Sequence, residues 1–462
     1  MDVHLIDLGL FPDEKKVQTA LIQKGIDSCA ASGGGTVYVP DGLYVTGTLY
    51  MRSNVFLHLA ANTTLKGSGD LADYCTDEDW EQNWASENEH TSGGHLIVFL
   101  EVEHSGLIGH GTIDGNGTSF PYRRDVPDFR AVAADKSLKR PGQMVYLCES
   151  RNIRIRDVRL FNSPYWNCFV WGCENVIISG LQIKNSPTIL NGDGIDIDSS
   201  RHVVVSDCII DSEDDCITFR CARKRLKNKE AVLEDVTVTN CQLRTPGCNA
   251  FRIGVGQGPI RNCLISNILI RGSSKGVCLE ARYAFNTDEE PGTSIENISF
   301  NNVFMEARCP VYLSSYCYGA TTAVAPPVRN IRFTNLTVKS SLNIVVQKNE
   351  GAVMEDILFQ NVNMELSGEP RKIAFSRGYH EWEHATGRGA ILVAGAKNVT
   401  LRDVTVRVND AVQPAEAVVL SDGTGDIYMD NVKGYRDGSP MPVTTLFTPE
   451  EIESGKVREE GK

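Results

Sequence analysis

A short pattern of alternating apolar and polar residues recurs through most of this chain and indicates its architecture. In each copy the alternation has a period of two, which is typical of a strand with one buried face. Ten copies start 23 to 42 residues apart, at residues 152 (NIRIRDVRL), 175 (NVIISGLQI), 202 (HVVVSDCII), 235 (DVTVTNCQL), 262 (NCLISNILI), 297 (NISFNNVFM), 330 (NIRFTNLTV), 356 (DILFQNVNM), 398 (NVTLRDVTV) and 426 (DIYMDNVKG). One such unit cannot bury its apolar face alone, whereas stacked units share a continuous core.

The repeats also carry a turn residue at a constant offset. Asn or Asp stands five residues after the start of nine of the ten copies, and Gly180 stands there in the other. These side chains hydrogen-bond local backbone and favour turns. Short strands with such turns, and almost no helical periodicity between them, predict an all-β fold, a single-stranded parallel β-helix. A β-sandwich with fortuitous repetition is the alternative.

The two ends of the chain differ from the repeats. Helical spacing runs through Val17, Ala20, Leu21, Ile26 and Ala30 and stops at glycines 33 to 35. A helix there would cover the open edge of the first coil. We therefore predict one β-helix domain over residues 1–435, with an N-terminal capping helix and first coil in residues 1–50, and a charged C-terminal tail over residues 436–462.

Composition narrows the classes of partner. The 462 residues carry a net charge of −13, whereas nucleic acid and anionic membranes require a basic face. The first residues show no signal-peptide pattern, and no apolar stretch approaches the 18 residues of a membrane span. We therefore expect a cytoplasmic protein without a nucleic-acid or membrane partner. Its 14 cysteines are then expected to be reduced and buried as small apolar side chains. The oligomeric state is not predicted.

Two acidic stretches, NGDGIDIDSS and SEDDCITFR, stand out within the repeats. Positions on consecutive coils are neighbours at about 4.8 Å, so the segments DGIDID, DCITFR, NAFRIG and KGVCLE can be aligned on their apolar residues. The alignment predicts two inward rows, one of Ile195, Ile217, Phe251 and Val277 and one of Ile197, Phe219, Ile253 and Leu279. It places Asp193, Asp215, Asn249 and Lys275 in one column, and Asp196 and Asp198 at the start of two outward rows. Both acidic stretches therefore fall on one face, on adjacent coils.

That arrangement has the groups that hydrolysis of a glycosidic bond requires. One carboxylic acid protonates the leaving oxygen and one carboxylate activates water. Crowding of Asp193, Asp214 and Asp215 is expected to raise the pKa of at least one of them. The alternative is that the acidic turns only form hydrogen bonds along the outside of the coils.

The sequence resembles glycoside hydrolase family 28, the polygalacturonase group of right-handed parallel β-helices. The resemblance runs over about residues 12 to 435. It is carried by the stretch from TALIQKG to TLKGS (residues 19–68), by GHGTIDGNG (109–117), NGDGID, EDDC and CPVYLSSYCYG (309–319). The family is inverting, so the resemblance implies Asp214 as general acid and Asp193 with Asp215 as the residues that hold and activate water. No cofactor and no metal ligand set are implied.

The residues expected to bind sugar depart from the family. The family's G-H-G motif aligns with GCNAFRIG, which places Cys248 where its active-site His would lie, next to Asn249. Its R-I-K motif aligns with CLE, so Cys278 stands for the Arg and Glu280 for the Lys. A Glu there would repel a uronate, and basic charge would have to come from Arg252, Arg220 or the RCARKRLKNK segment. That segment can equally be a solvated crossing between coils.

These features predict an exo-acting glycosidase on a pectin-related oligosaccharide, with a neutral or modified sugar at the cleaved position. Trp382, in the insertion that contains HEWEH, is a candidate for stacking on a sugar ring. The H-E-x-x-H spacing would suit zinc only on a helix. The alternatives are an exo-polygalacturonase proper, a Ca²⁺-dependent lyase with Arg252 as base, and a non-catalytic glycan-binding β-helix.

Overall fold

The computed structural model describes residues 2–75, 80–83, 85–281, 292–315, 324–348, 351–368, 389–409 and 415–446. The chain forms two compact units. The first contains Met1–Thr218 and Ala222–Gln242, and the second contains Phe219–Cys221 and Leu243–Lys462. The candidate residue Trp382 and the HEWEH motif lie outside the described residues.

The first unit consists almost entirely of short strands. They are β1 (Val3–His4), β2 (Asp13–Val17), β3 (Gly35–Val39), β4 (Gly42–Thr46), β5 (Leu49–Tyr50), β6 (Val55–Leu59), β7 (Thr63–Gly67), β8 (Ile97–Leu100), β9 (Gly106–Gly109), β10 (Thr112–Asp114), β11 (Val145–Cys148), β12 (Arg151–Arg156), β13 (Arg159–Phe161), β14 (Cys168–Trp171), β15 (Glu174–Ser179), β16 (Gln182–Lys184), β17 (Ile195–Asp198), β18 (Arg201–Ser206) and β19 (Ile209–Asp211). The strand β21 (Leu233–Thr239) also belongs to it, while β20 (Ile217–Cys221) and β22 (Gln242–Arg244) have residues in both units. Helices α1 (Thr19–Ala31) and α2 (Phe129–Ala134) and 3-10 turns at Leu5–Leu8, Leu71–Asp73 and Gly117–Ser119 complete it.

From β3 onward, strands of the first unit pair in parallel with the third strand along the chain, so each of these coils contains three strands. β12, β15, β18 and β21 stack in register, and Ile153, Val176, Val203 and Val236 form one row in them. All four side chains are buried. The alternation in the sequence repeats therefore gives the predicted inward face of a parallel β-helix.

The turn residues of the repeats adopt the backbone conformation that their residue type favours. Asp157, Asp207 and Asn240 have φ of 63°, 58° and 57°, and Gly180 has φ of 67°. Asn, Asp and Gly accept this left-handed region at least cost. The first residue of most repeats is left-handed as well, for example Asn152 at 58°, which the sequence did not predict. Each coil thus bends at two fixed points.

The strands of the second unit also pair mainly in parallel, and several of them are longer. They are β23 (Asn249–Gly256), β24 (Ile260–Glu280), β25 (Ile295–Ser314), β26 (Val328–Ser340), β27 (Ile344–Gln347), β28 (Met354–Leu366), β29 (Gly389–Ala394), β30 (Lys397–Val408), β31 (Ala417–Ser421), β32 (Ile427–Arg436), β33 (Ser439–Pro440) and β34 (Thr444–Leu446). Phe300, Phe333 and Phe359 stack in its core with ring centroids 5.1 and 4.9 Å apart. The short strands β33 and β34 lie within the stretch predicted as a tail, and residues 447–462 are not described.

Asparagine side chains form hydrogen-bonded ladders on the outside of the second unit. The Nδ2 of Asn297 donates to Oδ1 of Asn262 at 3.1 Å, and the Nδ2 of Asn330 donates to Oδ1 of Asn297 at 2.7 Å. Asp403 accepts from Asn431 in the same way at 2.7 Å. In each of these rungs the donor belongs to the later coil.

The predicted N-terminal helix is present as α1, with corrected boundaries. Val17 is not helical: it ends β2 and is 39% exposed, while Ile22, Ile26 and Cys29 form the buried face of α1. The helix ends before Gly33 and Gly34, whose φ values are 91° and 98°. That α1 serves as a cap stays a prediction, as does the single domain over residues 1–435.

Two further expectations concern buried cysteines and membrane spans. Eleven of the thirteen cysteines among the described residues are buried, as small apolar side chains would be. In the part of the chain that the structure describes, no helix combines the length and the apolar character that a bilayer span requires.

Candidate active site

Asp193 and Asp215 lie on adjacent coils of the first unit. The backbone N–H of Gly194 donates to the carbonyl of Asp215 at 2.8 Å, and that of Ile195 donates to Cys216 at 2.9 Å. A Cβ on Gly194 would lie 2.4 Å from the Cys216 carbonyl, so only glycine permits this approach. The side chains of Asp193 and Asp215 are 5% and 8% exposed. Two nearly buried carboxyl groups are therefore held on neighbouring turns of backbone.

Asp214 is the more accessible member of the group. It is partly exposed, and its carbonyl accepts a hydrogen bond from Oγ of Ser212 at 2.8 Å. A carboxylate oxygen of Asp214 and one of Asp215 lie within 4.8 Å of each other. Carboxyl groups this close, one accessible and one buried, can act as a proton donor and a water-activating base.

The glutamate that precedes these aspartates has a different environment. Glu213 is buried, and its Oε1 forms an ion pair with Nη1 of the half-exposed Arg124 at 2.6 Å. Burial raises the pKa of Glu213, although Arg124 and the amide of Gly192 oppose the shift. Asp214 thus follows a carboxyl group whose charge is disfavoured by desolvation. The raised pKa expected among Asp193, Asp214 and Asp215 themselves stays a prediction.

Asp198 is held by hydrogen bonds from neighbouring residues of the first unit. It is fully buried, and its Oδ1 accepts hydrogen bonds from Oγ of Ser199 and from the backbone N–H of Ala222, both at 2.7 Å. Asp198 therefore fixes the start of the segment that follows β20.

The outward face of the preceding coils is filled by aromatic side chains. Tyr146, Phe169 and Asp196 occupy one row of β11, β14 and β17, and Trp171 stands beside Asp198. Tyr146, Phe169 and Trp171 belong to one buried cluster, into which Leu226 inserts from the segment 222–231. The Nε1 of Trp171 donates to the carbonyl of Ala222 at 2.9 Å. The row that contains Asp196 is thus covered on the side of Tyr146 and Phe169.

Three basic residues of the segment 222–231 contact residues elsewhere in the first unit. Lys227 forms an ion pair with Glu101, and Lys229 forms one with Glu81. The Nη1 of Arg225 donates to the carbonyl of Asn83 at 2.7 Å. These charges hold the segment over the aromatic cluster, an arrangement that the sequence did not predict, because a single leucine in a basic segment carries no periodic signal.

The second unit contains a buried ion pair among the candidate sugar-binding residues. The Nη2 of Arg252 lies 2.5 Å from Oε2 of Glu280, and the two side chains are 5% and 6% exposed. The Nη1 of Arg252 also lies 3.5 Å from Sγ of Cys278. Arg252 and Cys278 are register partners in β23 and β24, as the alignment predicted. The positive charge of Arg252 is therefore balanced by Glu280.

Cys248, Asn249 and Lys275 form a second group in that unit. The Nδ2 of Asn249 lies 3.4 Å from Sγ of Cys248, and the Nζ of Lys275 donates to Oδ1 of Asn249 at 3.3 Å. Asn249 and Lys275 are register partners, as predicted. Lys275 is nearly buried, and the sequence did not assign it a role in binding. Arg220 is partly exposed at the end of β20.

The family model and the curated relatives that match this chain are those of glycoside hydrolases. The model of Glycosyl hydrolases family 28 matches residues 29–317. An exo-poly-α-D-galacturonosidase from Dickeya chrysanthemi is 25% identical over 410 residues, which cover 80% of this chain and 65% of that protein. An endo-xylogalacturonan hydrolase A from Aspergillus tubingensis is 24% identical over 309 residues, covering 64% of this chain and 67% of that protein. The chain thus spans less than two thirds of the first of these relatives.

A solved structure extends the similarity to nearly the whole chain. The exopolygalacturonase from Thermotoga maritima superposes with a TM-score of 0.65 at 19% identity and covers 96% of this chain and 93% of that one. At this identity the likeness shows the fold, a right-handed parallel β-helix.

Proposed function

Since the chain belongs to glycosyl hydrolases family 28, we propose that it is an inverting, exo-acting glycosidase. It would cleave the O-glycosidic bonds of pectin-related oligosaccharides, with a neutral or modified sugar rather than plain galacturonate at the cleaved position. The observation that carries the proposal is the placement of Asp193 and Asp215 on adjacent coils, joined by the hydrogen bond from Gly194 to Asp215.

The roles of the carboxyl groups follow from their exposure. Asp214 is the accessible one and would protonate the leaving oxygen. Asp193 and Asp215 are nearly buried and would hold and activate the attacking water. Inverting pairs are typically separated by about 6.5–9.5 Å, whereas Asp214 and Asp215 approach within 4.8 Å. Inversion is therefore proposed from family membership, and the anomer of the first product must decide it.

Exo action is supported by the covered face of the first unit. A polymer chain that extended along the Asp196 row would meet Phe169, Tyr146 and the inserted Leu226. Only a chain end fits a row that is closed on one side. The name of the Dickeya relative, an exo-enzyme, agrees with this.

The proposal of a neutral or modified sugar is supported by the Arg252–Glu280 ion pair. A uronate carboxylate would compete with Glu280 for the guanidinium and would be repelled by Glu280 itself. A sugar hydroxyl can donate to Glu280 without that cost. Exo-polygalacturonase activity proper is the second candidate, favoured by the name of the Dickeya relative.

A panel of oligosaccharides with galacturonate, rhamnose, galactose or arabinose at the non-reducing end tests the proposal. Reducing-sugar release should occur with one terminal sugar, one residue at a time, and should be abolished by Asp214→Asn. Asp422→Asn, at an exposed turn where Oδ1 accepts from Thr424 at 3.0 Å, is the matched control and should retain activity. NMR of the first product anomer tests inversion.

The remaining outcomes contradict the proposal in distinguishable ways. Preference for galacturonate termini would favour the exo-polygalacturonase. A Ca²⁺-dependent reaction whose product absorbs in the ultraviolet would indicate a lyase. Binding of oligosaccharide without turnover would indicate a glycan-binding protein.

We also propose a cytoplasmic location, where small imported oligosaccharides would be the substrates.

A further inference from the structure

Arg140 is a buried charged residue that the proposed acid–base chemistry does not use. It precedes β11 in the first unit, in the sequence KRPGQ, and its side chain is 1% exposed. Burying a guanidinium carries a large desolvation cost unless its donors are all paired.

All five N–H groups of the Arg140 guanidinium have acceptors, and they lie on three separate segments. Nε and Nη2 donate to the carbonyl of Glu89 at 3.2 and 3.0 Å. Nη2 also donates to Oδ1 of Asn191 at 2.9 Å. Nη1 donates to the carbonyls of Pro164 and Leu190 at 2.7 and 2.5 Å. An arginine has five such donors, so this network is complete.

Two of the three segments lead directly to Asp193. Leu190 and Asn191 form the turn before it, and Asn191 is left-handed with φ of 55°. Pro164 leads to Asn167, whose backbone N–H and Nδ2 donate to the carbonyl of Asp193 at 2.9 and 2.8 Å. Arg140 thus connects the turn before Asp193 with the segment that binds its carbonyl.

The surroundings keep the guanidinium in one orientation. The rings of Tyr122 and Tyr165 lie 4.6 and 4.9 Å from its Cζ, within the range of cation–π attraction. The hydroxyl of Tyr165 donates to a carboxylate oxygen of Glu89. Burial lowers the pKa of Arg140, while Tyr165, Glu89 and Glu213 oppose that shift. A planar fork held between two rings can fix backbone geometry in a way that a flexible ammonium cannot.

We propose that Arg140 is a positioning residue that fixes Asp193 in its place beside Asp215. The role in turnover rests on the proposed function, but the structural coupling to residues 190–194 does not. Asp193 is the residue affected, because Arg140 binds both the turn before Asp193 and the segment from Pro164 to Asn167 that binds its carbonyl.

Arg140→Lys is the direct test, with Arg159→Lys as the matched control. The Nη2 of Arg159 also donates to carbonyls on two other segments, those of Ala61 and His110, both at 2.9 Å. Unlike two of the three segments bound by Arg140, neither of these leads to Asp193. Arg140→Lys should lower kcat by about 10- to 100-fold with KM within about twofold, because substrate contacts stay while the geometry of Asp193 changes. Arg159→Lys should leave both constants unchanged. An unaltered kcat in folded Arg140→Lys would overturn the proposal.

A second readout is independent of activity. Backbone amide hydrogen exchange over residues 190–194 should accelerate in Arg140→Lys and stay at the wild-type rate in Arg159→Lys; unchanged exchange in Arg140→Lys overturns the coupling. If Arg140→Lys does not fold, Asn191→Gly removes one acceptor at a left-handed position and should give the same two effects to a smaller degree. A wild-type protein inactive on every oligosaccharide would refute the proposed function, while the exchange measurement would still decide the coupling.

Discussion

Arg252 and Glu280 form a nearly fully buried ion pair on adjacent strands of the second unit, with Nη2 and Oε2 2.5 Å apart. A buried pair stabilises little relative to apolar residues, but breaking it leaves an uncompensated charge. A substitution that breaks the pair should therefore change both the free energy of unfolding of this unit and the charge that is available to bind a sugar.

Glu280→Gln should destabilise the protein and change its sugar preference together. Loss of the carboxylate leaves the Arg252 charge unpaired, at a cost of about 3–5 kcal/mol, and frees the guanidinium for a uronate. We expect kcat/KM for galacturonate termini to rise about tenfold relative to neutral termini. Glu355→Gln, which breaks the exposed pair with Arg329, should cost at most about 1 kcal/mol. Equal unfolding midpoints for the two variants would contradict the prediction.

Leu226→Ala should loosen the cover over the aromatic cluster of the first unit. Leu226 is fully buried against Trp171 and Phe169, so truncation should cost about 2–5 kcal/mol. Because the closed side of the row is opened, products longer than a single sugar should appear in chromatograms of an oligosaccharide digest. Leu264→Ala, at a side chain that is 59% exposed, should change stability by less than about 0.5 kcal/mol. Single-sugar products alone from Leu226→Ala would argue against the role of this segment in exo action.

His95 should make the protein sensitive to mild acid. Complete burial lowers the pKa of His95 from 6.5 to about 3. At mildly acidic pH the ring is therefore neutral in the folded state and protonated in the unfolded chain. The stability due to the neutral ring is present above pH 6.5 and is lost as the pH falls towards 3. This group alone should remove about 2 kcal/mol between pH 7 and pH 5.

The measurement compares urea unfolding of wild type and His95→Gln at pH 7 and pH 5. The variant is expected to be less stable at pH 7, because the ring stacks on Tyr146 at 4.0 Å, but its stability should fall less on acidification. His110→Gln, at an exposed position, serves as the control and should keep the wild-type pH dependence. Parallel pH profiles for wild type and His95→Gln would refute the assignment.

Asn297→Asp should weaken the asparagine ladder, whereas Asp403→Asn should not. Asn297 both donates to Asn262 and accepts from Asn330, and a carboxylate can only accept. The variant places two acceptors against each other and should cost about 1 kcal/mol. Asp403 only accepts from Asn431 among its ladder contacts, so an amide oxygen serves equally well. Thermal unfolding of both variants checks the difference, and equal midpoints would contradict it.

The sequence predicted the coils and the register of the candidate residues because both depend on local alternation. Ile195, Ile217 and their aligned partners are fully buried as expected, and Asn249 faces Lys275. Alternation at a period of two specifies which side chain faces the core, and equal coil geometry then places equivalent positions side by side.

Arg140 and Leu226 could not be found in this way. Four of the five hydrogen bonds of Arg140 end on backbone carbonyls 24 to 51 residues away along the chain, and every residue type has a backbone carbonyl. Leu226 is one apolar residue in a basic segment, and its burial depends on aromatic side chains in other strands. Contacts made by segments between the repeats carry no periodic signal.

The left-handed residues at the bends of each coil have a consequence for how such a protein can diversify. Asp157, Asp207 and Asn240 restart the same backbone path on every coil, whatever the length of the connection that preceded them. Insertions between coils, such as the one that holds the segment 222–231, can therefore lengthen or shorten without shifting the stacked strands. Grafting segments from one family member to another at these junctions should exchange substrate preference while the scaffold stays intact.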